Sequence, residues 1–134
     1  MKSKVTLKEG MNFIGDLDGH EVSIDADAAV GGQDKGPRPK GLMLTSLAGC
    51  TAMDVISILR KMKVEPDEFA VETEAETTDE HPKVFKNIKI IYRIKGDVPR
   101  EKAEKAVSLS LNRYCGVTAM LRKAAPVDFE IIIE

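Results

Sequence analysis

Cysteine and histidine are scarce in this 134-residue chain: Cys50 and Cys115, His20 and His81, and no others. Two cysteines far apart do not make the disulfide framework of a small secreted protein, so a disulfide here would be catalytic or transient. The histidines fall in separate turn-like stretches. No CxxC, HExxH or clustered carboxylate set is present, so neither a metal nor a cofactor is expected. An excess of one charge is missing too. Lys and Arg total 20 against 22 Asp and Glu, a formal net charge of −2. That gives no electrostatic reason to expect nucleic acid or an anionic membrane as a partner. Lys2, Lys4 and Lys8 are followed by alternating residues and not by an apolar run, which reads as no signal segment and a cytoplasmic location by default. No internal repeat or low-complexity segment occurs.

What is present suits one domain over 1–134, with 43% hydrophobic and 31% charged residues. Apolar residues concentrate in Pro37–Lys63, where they fall on nearly every face of an expected helix. A helix apolar almost all round is buried almost all round. Asp54, Arg60 and Lys61 interrupt it, and each costs roughly 2.5–3.5 kcal/mol near a bilayer centre, so the expectation is a central core helix and not a membrane span. One narrow line is polar: Ser46, Cys50, Asp54, Ser57 and Lys61 follow at spacings of three or four and share a face. Taken alone, Cys50 there reads first as a small residue filling space.

The remaining elements follow from period and punctuation. Residues 4–8, 11–14 and 21–25 read as short strands of an antiparallel meander, with Asp18-Gly19 as a tight turn. Residues 27–40, with Gly31, Gly32, Gly36, Pro37 and Pro39, form a long loop feeding the helix; such loops are functional as often as they are plain connections. Phe69–Glu76 alternates with glutamates on one face, a solvated sheet face, and Asn87–Ile94 is a long strand whose cations can pair with them. Pro99 opens a second helix that breaks at Cys115-Gly116, which puts Cys115 at the start of a new helical turn, where free N–H groups favour a thiolate. Val127–Glu134 is the last strand. The order predicts an α+β fold with antiparallel sheets, a long central buried helix and a second, broken helix. So apolar a helix in so small a chain also calls for a homodimer to cover it.

The proline-bearing loop leading into LMLTSLAGCTAMDVISIL, followed by the second cysteine in NRYCGVTAML, resembles the OsmC/Ohr family of osmotically inducible and organic hydroperoxide resistance proteins, in a less characterised branch. The resemblance covers nearly the whole chain. It implies an intertwined homodimer acting in oxidative stress defence, with an organic hydroperoxide as substrate and a dithiol as reductant. By motif position Cys50 would be the peroxidatic thiolate and Cys115 the resolving thiol.

The chain departs from that pattern in the charged residues around the site. The family's peroxidases carry an arginine in the N-terminal part and a glutamate about ten residues before the first cysteine. Here the first arginine is Arg38, in the loop, and the positions before the helix core are Lys40 and Gly41. Arg38, and behind it Lys40, are therefore the candidate cations for Cys50, with Ser46 and Asp54 as its neighbours one turn away; an ionised Asp54 would oppose a thiolate. Three readings stand: a thiol peroxidase, a dimeric small-molecule-binding protein without peroxidase activity, and a structural domain with inert cysteines.

Overall fold

The structure is a computed structural model describing all residues, Met1–Glu134. By compactness the chain divides into two units, Met1–Met43 and Leu44–Glu134.

In the first unit β1 (Ser3–Glu9), β2 (Asn12–Leu17) and β3 (His20–Ile24) form the expected antiparallel meander. Asp18 and Gly19 both take positive φ, the conformation that two-residue hairpins require. The loop that follows is folded by one buried carboxylate. Asp25, 2% exposed, accepts the backbone N–H groups of Ala26, Gln33 and Lys35 at 2.7, 3.2 and 3.1 Å. The Lys35 N–H bond leads in holding this carboxyl below the ordinary aspartate range, against the upward push of burial. Gly32 is required by close approach, since a Cβ there would overlap the Ala26 carbonyl.

Helix α1 (Pro39–Lys61) starts at the proline, in the favoured first-turn position. In the second unit β4 (Glu68–Thr77), β5 (Phe85–Lys95) and β6 (Val127–Ile133) form a sheet in the order β4-β5-β6. β4 and β5 pair antiparallel, but β6 lies parallel to β5, with Ile88 opposite Val127 and Ile94 opposite Ile133. This corrects the expectation of antiparallel sheets throughout. The cause is the helical crossover between β5 and β6, which carries the chain back to the end where β5 began, so that β6 enters the sheet in the same direction.

On β5, the central strand, only Ile91, 8% exposed, departs from the two-fold pattern, and the expected inward set is Ile88, Ile90, Tyr92 and Ile94, each 0–1% exposed. These pack with Leu47, Val55 and Leu59 of α1 and with Ala103, Ala106 and Val107 of α2 (Arg100–Leu109). Opposite charges pair along the sheet as expected: Lys95 with Glu68 at 3.0 Å, Arg93 with Glu72 at 2.6 Å, and Lys89 with Glu130 at 2.9 Å. All are solvent-exposed and contribute little each.

Helix α1 is less buried than its composition predicts. By length and composition alone it could cross a membrane, yet only Leu47, Thr51, Val55 and Leu59 are buried, one line at four-residue spacing set into the core above. Met43 is 46% and Met53 74% exposed. One sheet covers one side of a helix, so a single chain leaves apolar surface over.

Candidate functional site

Two devices bring the cysteines together. Cys50 lies at the middle of α1, half-buried, with Asp54 one turn on. On the other side, α2 passes into a single wide π turn, Ser110–Tyr114, closed by the Cys115 N–H on the Ser110 carbonyl at 2.8 Å. Such turns insert a residue, re-aim the side chains that follow, and recur at functional sites. Cys115 then takes an extended conformation and caps α3 (Gly116–Arg122), its Sγ accepting the Thr118 N–H at 3.4 Å. The helix break expected at Cys115-Gly116 is this π turn and cap.

The result is a cluster. Cys50 Sγ, Cys115 Sγ and a carboxylate oxygen of Asp54 lie within 4.8 Å of one another. Both cysteines are free; Cys115 is 3% exposed and Cys50 the more open. Burial pushes the Cys50 thiol above its ordinary value, the Val117 N–H on its sulfur opposes this, and neighbouring Cys115 and Asp54 push it further up. None of these dominant influences is cationic. At neutral pH Cys50 therefore rests as a thiol.

A chain of buried hydroxyls ends on the same aspartate. Tyr92 OH lies 2.7 Å from Thr51 Oγ1, Thr51 Oγ1 lies 2.8 Å from Ser110 Oγ, and Ser110 Oγ donates to Asp54 Oδ2 at 2.9 Å. Since a carboxylate only accepts, the Ser110 proton is committed, so Thr51 must donate to Ser110 and Tyr92 to Thr51. Burial pushes the Tyr92 phenol up to about 12, with the Thr51 hydroxyl pulling the other way, and Tyr92 stays a donor at any ordinary pH. Thr51, Tyr92 and Ser110 are each fully buried. Sequence reasoning passes over all three. The one visible signal is Thr51, a lone hydroxyl on the otherwise apolar line of α1.

A pocket of about 280 Å³ opens beside Asp54, lined by Asp54, Ser57, Ile58, Lys61, Leu109 and Tyr114. Among the residues singled out from the sequence, Cys50, Cys115 and Asp54 thus come together. Ser46 lies exposed on α1 one turn before Cys50, and Lys40 in the first turn of the helix. Arg38 is engaged within the N-terminal unit: its guanidinium donates to Asp34 at 2.7 Å and to the Gly36 carbonyl at 3.1 Å, with Asp27 at 4.0 Å.

Known proteins share the sequence pattern and the fold of this chain. The family described as OsmC-like protein matches residues 32–130. Protein YhfA of Escherichia coli is 32% identical over 136 residues, spanning 98% of both chains. Among solved structures, a hypothetical protein from Aquifex aeolicus superposes with a TM-score of 0.84 at 27% identity, over 99% of this chain and 96% of that one. The organic hydroperoxide resistance protein OsmC from Legionella pneumophila shares the fold with a TM-score of 0.74 at 18% identity, over 98% and 95%. The matched span contains both cysteines, the helix that carries the first and the π turn that delivers the second, and on that footing the chain belongs to the OsmC-like family.

Proposed function

We propose that this protein is a cytoplasmic, cysteine-based peroxidase that reduces organic hydroperoxides and acts as a homodimer. The observation that carries the reading is the pair of free sulfurs within 4.8 Å, delivered by α1 and the cap of α3. Cys50, the more open sulfur, attacks the distal peroxide oxygen; the O–O bond breaks, the alcohol leaves with a proton, and Cys50 becomes a sulfenic acid. The buried Cys115 thiol then attacks that sulfur, a disulfide forms and water leaves. A dithiol reductant restores the pair by exchange, becoming a disulfide itself. Closing the bond brings the sulfurs to about 2.05 Å, a movement that the extended residue at Cys115 can supply.

The cation for Cys50 is the element that one chain does not provide among its dominant neighbours. Arg38 of the loop serves only by leaving Asp34, and Lys40, in the first turn of α1, is the alternative. Exposed Met43 and Met53 on α1 support a second copy as cover. Fold likeness alone does not carry activity. The test is stoichiometric cumene hydroperoxide on reduced protein, read by intact mass and thiol count, with Cys50→Ser and Cys115→Ser in parallel. Rapid loss of both thiols and two mass units per chain is expected. Slow oxidation, equal in all three proteins, overturns the reading and leaves an OsmC-fold binding protein.

A further inference from the structure

We propose that the reduced Cys50–Asp54–Cys115 cluster is a binding site for a thiophilic divalent cation of the Zn²⁺ class. Three potential ligands from two separate elements, two sulfurs and one carboxylate oxygen, lie within 4.8 Å of one another. A tetrahedral zinc with Zn–S bonds of about 2.3 Å holds its sulfurs about 3.8 Å apart, so the ligand atoms need draw in by no more than about 1 Å. A side-chain rotation accomplishes that. Hard cations such as Mg²⁺ and Ca²⁺ take oxygen ligands, and a set two-thirds sulfur selects against them.

The surroundings are those of a held ligand set. The Ser110 hydroxyl fixes Asp54 Oδ2, and Ser110 is itself fixed through Thr51 and Tyr92, all fully buried. Outer hydrogen bonds of this kind orient the ligands of metal sites. Each sulfur also receives a backbone N–H, from Val117 at Cys50 and Thr118 at Cys115, which stabilises a metal-bound thiolate without competing for the metal. In the same turn the Thr118 hydroxyl is buried with no hydrogen-bond partner. Asp54 lines a pocket open to solvent, and Cys50 is itself only half-buried. Three protein ligands leave one position of a tetrahedron open.

Binding is balanced by proton release: two thiols and one cation give a metal dithiolate and two protons. The bound form excludes the disulfide, since both sulfur electron pairs are engaged. The proposal does not rest on the peroxidase reading, because it concerns the reduced chain with no oxidant present.

The test titrates reduced, full-length protein with Co²⁺ alone, with a phosphine as the reductant. One Co²⁺ per chain with intense thiolate-to-metal absorption is expected, lost on adding Zn²⁺, together with protection of both cysteines from alkylation. Asp54→Asn keeps an oxygen acceptor for Ser110, and circular dichroism checks that it folds; its Co²⁺ affinity is expected to fall at least tenfold. Cys50→Ser and Cys115→Ser each lose most of the absorption. No thiolate-to-metal absorption in the wild type overturns the site, as does an Asp54→Asn affinity within twofold of wild type. Retention of the bound metal in a double cysteine variant overturns it equally. None of these outcomes depends on reactivity with peroxide, so each reading fails separately.

Discussion

Thr51→Val tests the hydroxyl chain that holds Asp54. Valine keeps the shape and β-branching of threonine and has nearly the same helix propensity, so neither a cavity nor helix preference contributes. What is lost is the oxygen 2.7 Å from Tyr92 OH and 2.8 Å from Ser110 Oγ. Ser110 still donates to Asp54, but the Tyr92 hydroxyl, in a side chain with no exposed surface, loses its acceptor. Leaving a buried donor unsatisfied costs about 1–3 kcal/mol. Thr51→Ser keeps the hydroxyl and loses one methyl, about 1 kcal/mol. The expected order of stability is wild type, then Ser, then Val, with Val lower by about 2 kcal/mol than wild type. For a chain of this size that corresponds to roughly 3–5 °C in midpoint per kcal/mol. Adding Tyr92→Phe to Thr51→Val removes the orphaned donor and is expected to recover about 1 kcal/mol relative to the sum of the single changes. The assay is urea unfolding by far-ultraviolet circular dichroism, at one fixed protomer concentration so that any self-association contributes equally to every variant. If Thr51→Val equals wild type or exceeds Thr51→Ser, the directed chain of donors is refuted.

Other expectations follow from the same geometry. Cys115→Ser should leave Cys50 as a sulfenic acid after one equivalent of hydroperoxide, trapped by dimedone in mass spectrometry; a disulfide-free protein with no adduct argues against Cys50 as the attacking thiol. Burial first, then Cys115 and Asp54, raise Cys50, so its alkylation by iodoacetamide should reach half its plateau at a pH above that of a free cysteine peptide. The folding stability this thiol contributes is complete below the ordinary thiol value and is lost as pH rises through the raised folded one; a half-plateau at or below the peptide's contradicts the assignment. Asp25 has the opposite sign: its depressed carboxyl contributes stability above the ordinary aspartate value that is lost as pH falls through the folded one. Asp25→Ala should therefore expose residues 26–36 to protease at neutral pH, and an unchanged digestion pattern would show that the loop does not depend on the carboxylate. Arg38 already holds Asp34, so Arg38→Ala should move the Cys50 titration less than Asp54→Asn does. Should Arg38→Ala move it more, the loop arginine is the missing cation.

Period and punctuation were enough to find most of the elements. Asp18-Gly19 placed the β2–β3 hairpin because few residue pairs accept two positive φ angles. The concentration of apolar residues marked α1, and the Cys115-Gly116 break was visible as a weak helix residue after a long helical pattern. The cysteine spacing and surrounding motifs also carried the family. Three things needed the folded chain. The direction of β6 depends on where a helical crossover ends, which no local pattern encodes. The exposure of Met53 depends on how much surface one sheet covers, a property of the whole packing and not of the helix. The nearness of Cys50, Asp54 and Cys115 depends on a π turn that re-aims one side chain, and the Tyr92–Thr51–Ser110 chain that fixes Asp54 joins residues from three elements. Hydrophobic period is written along the chain. Which polar atoms meet inside the core is decided only when separate elements pack.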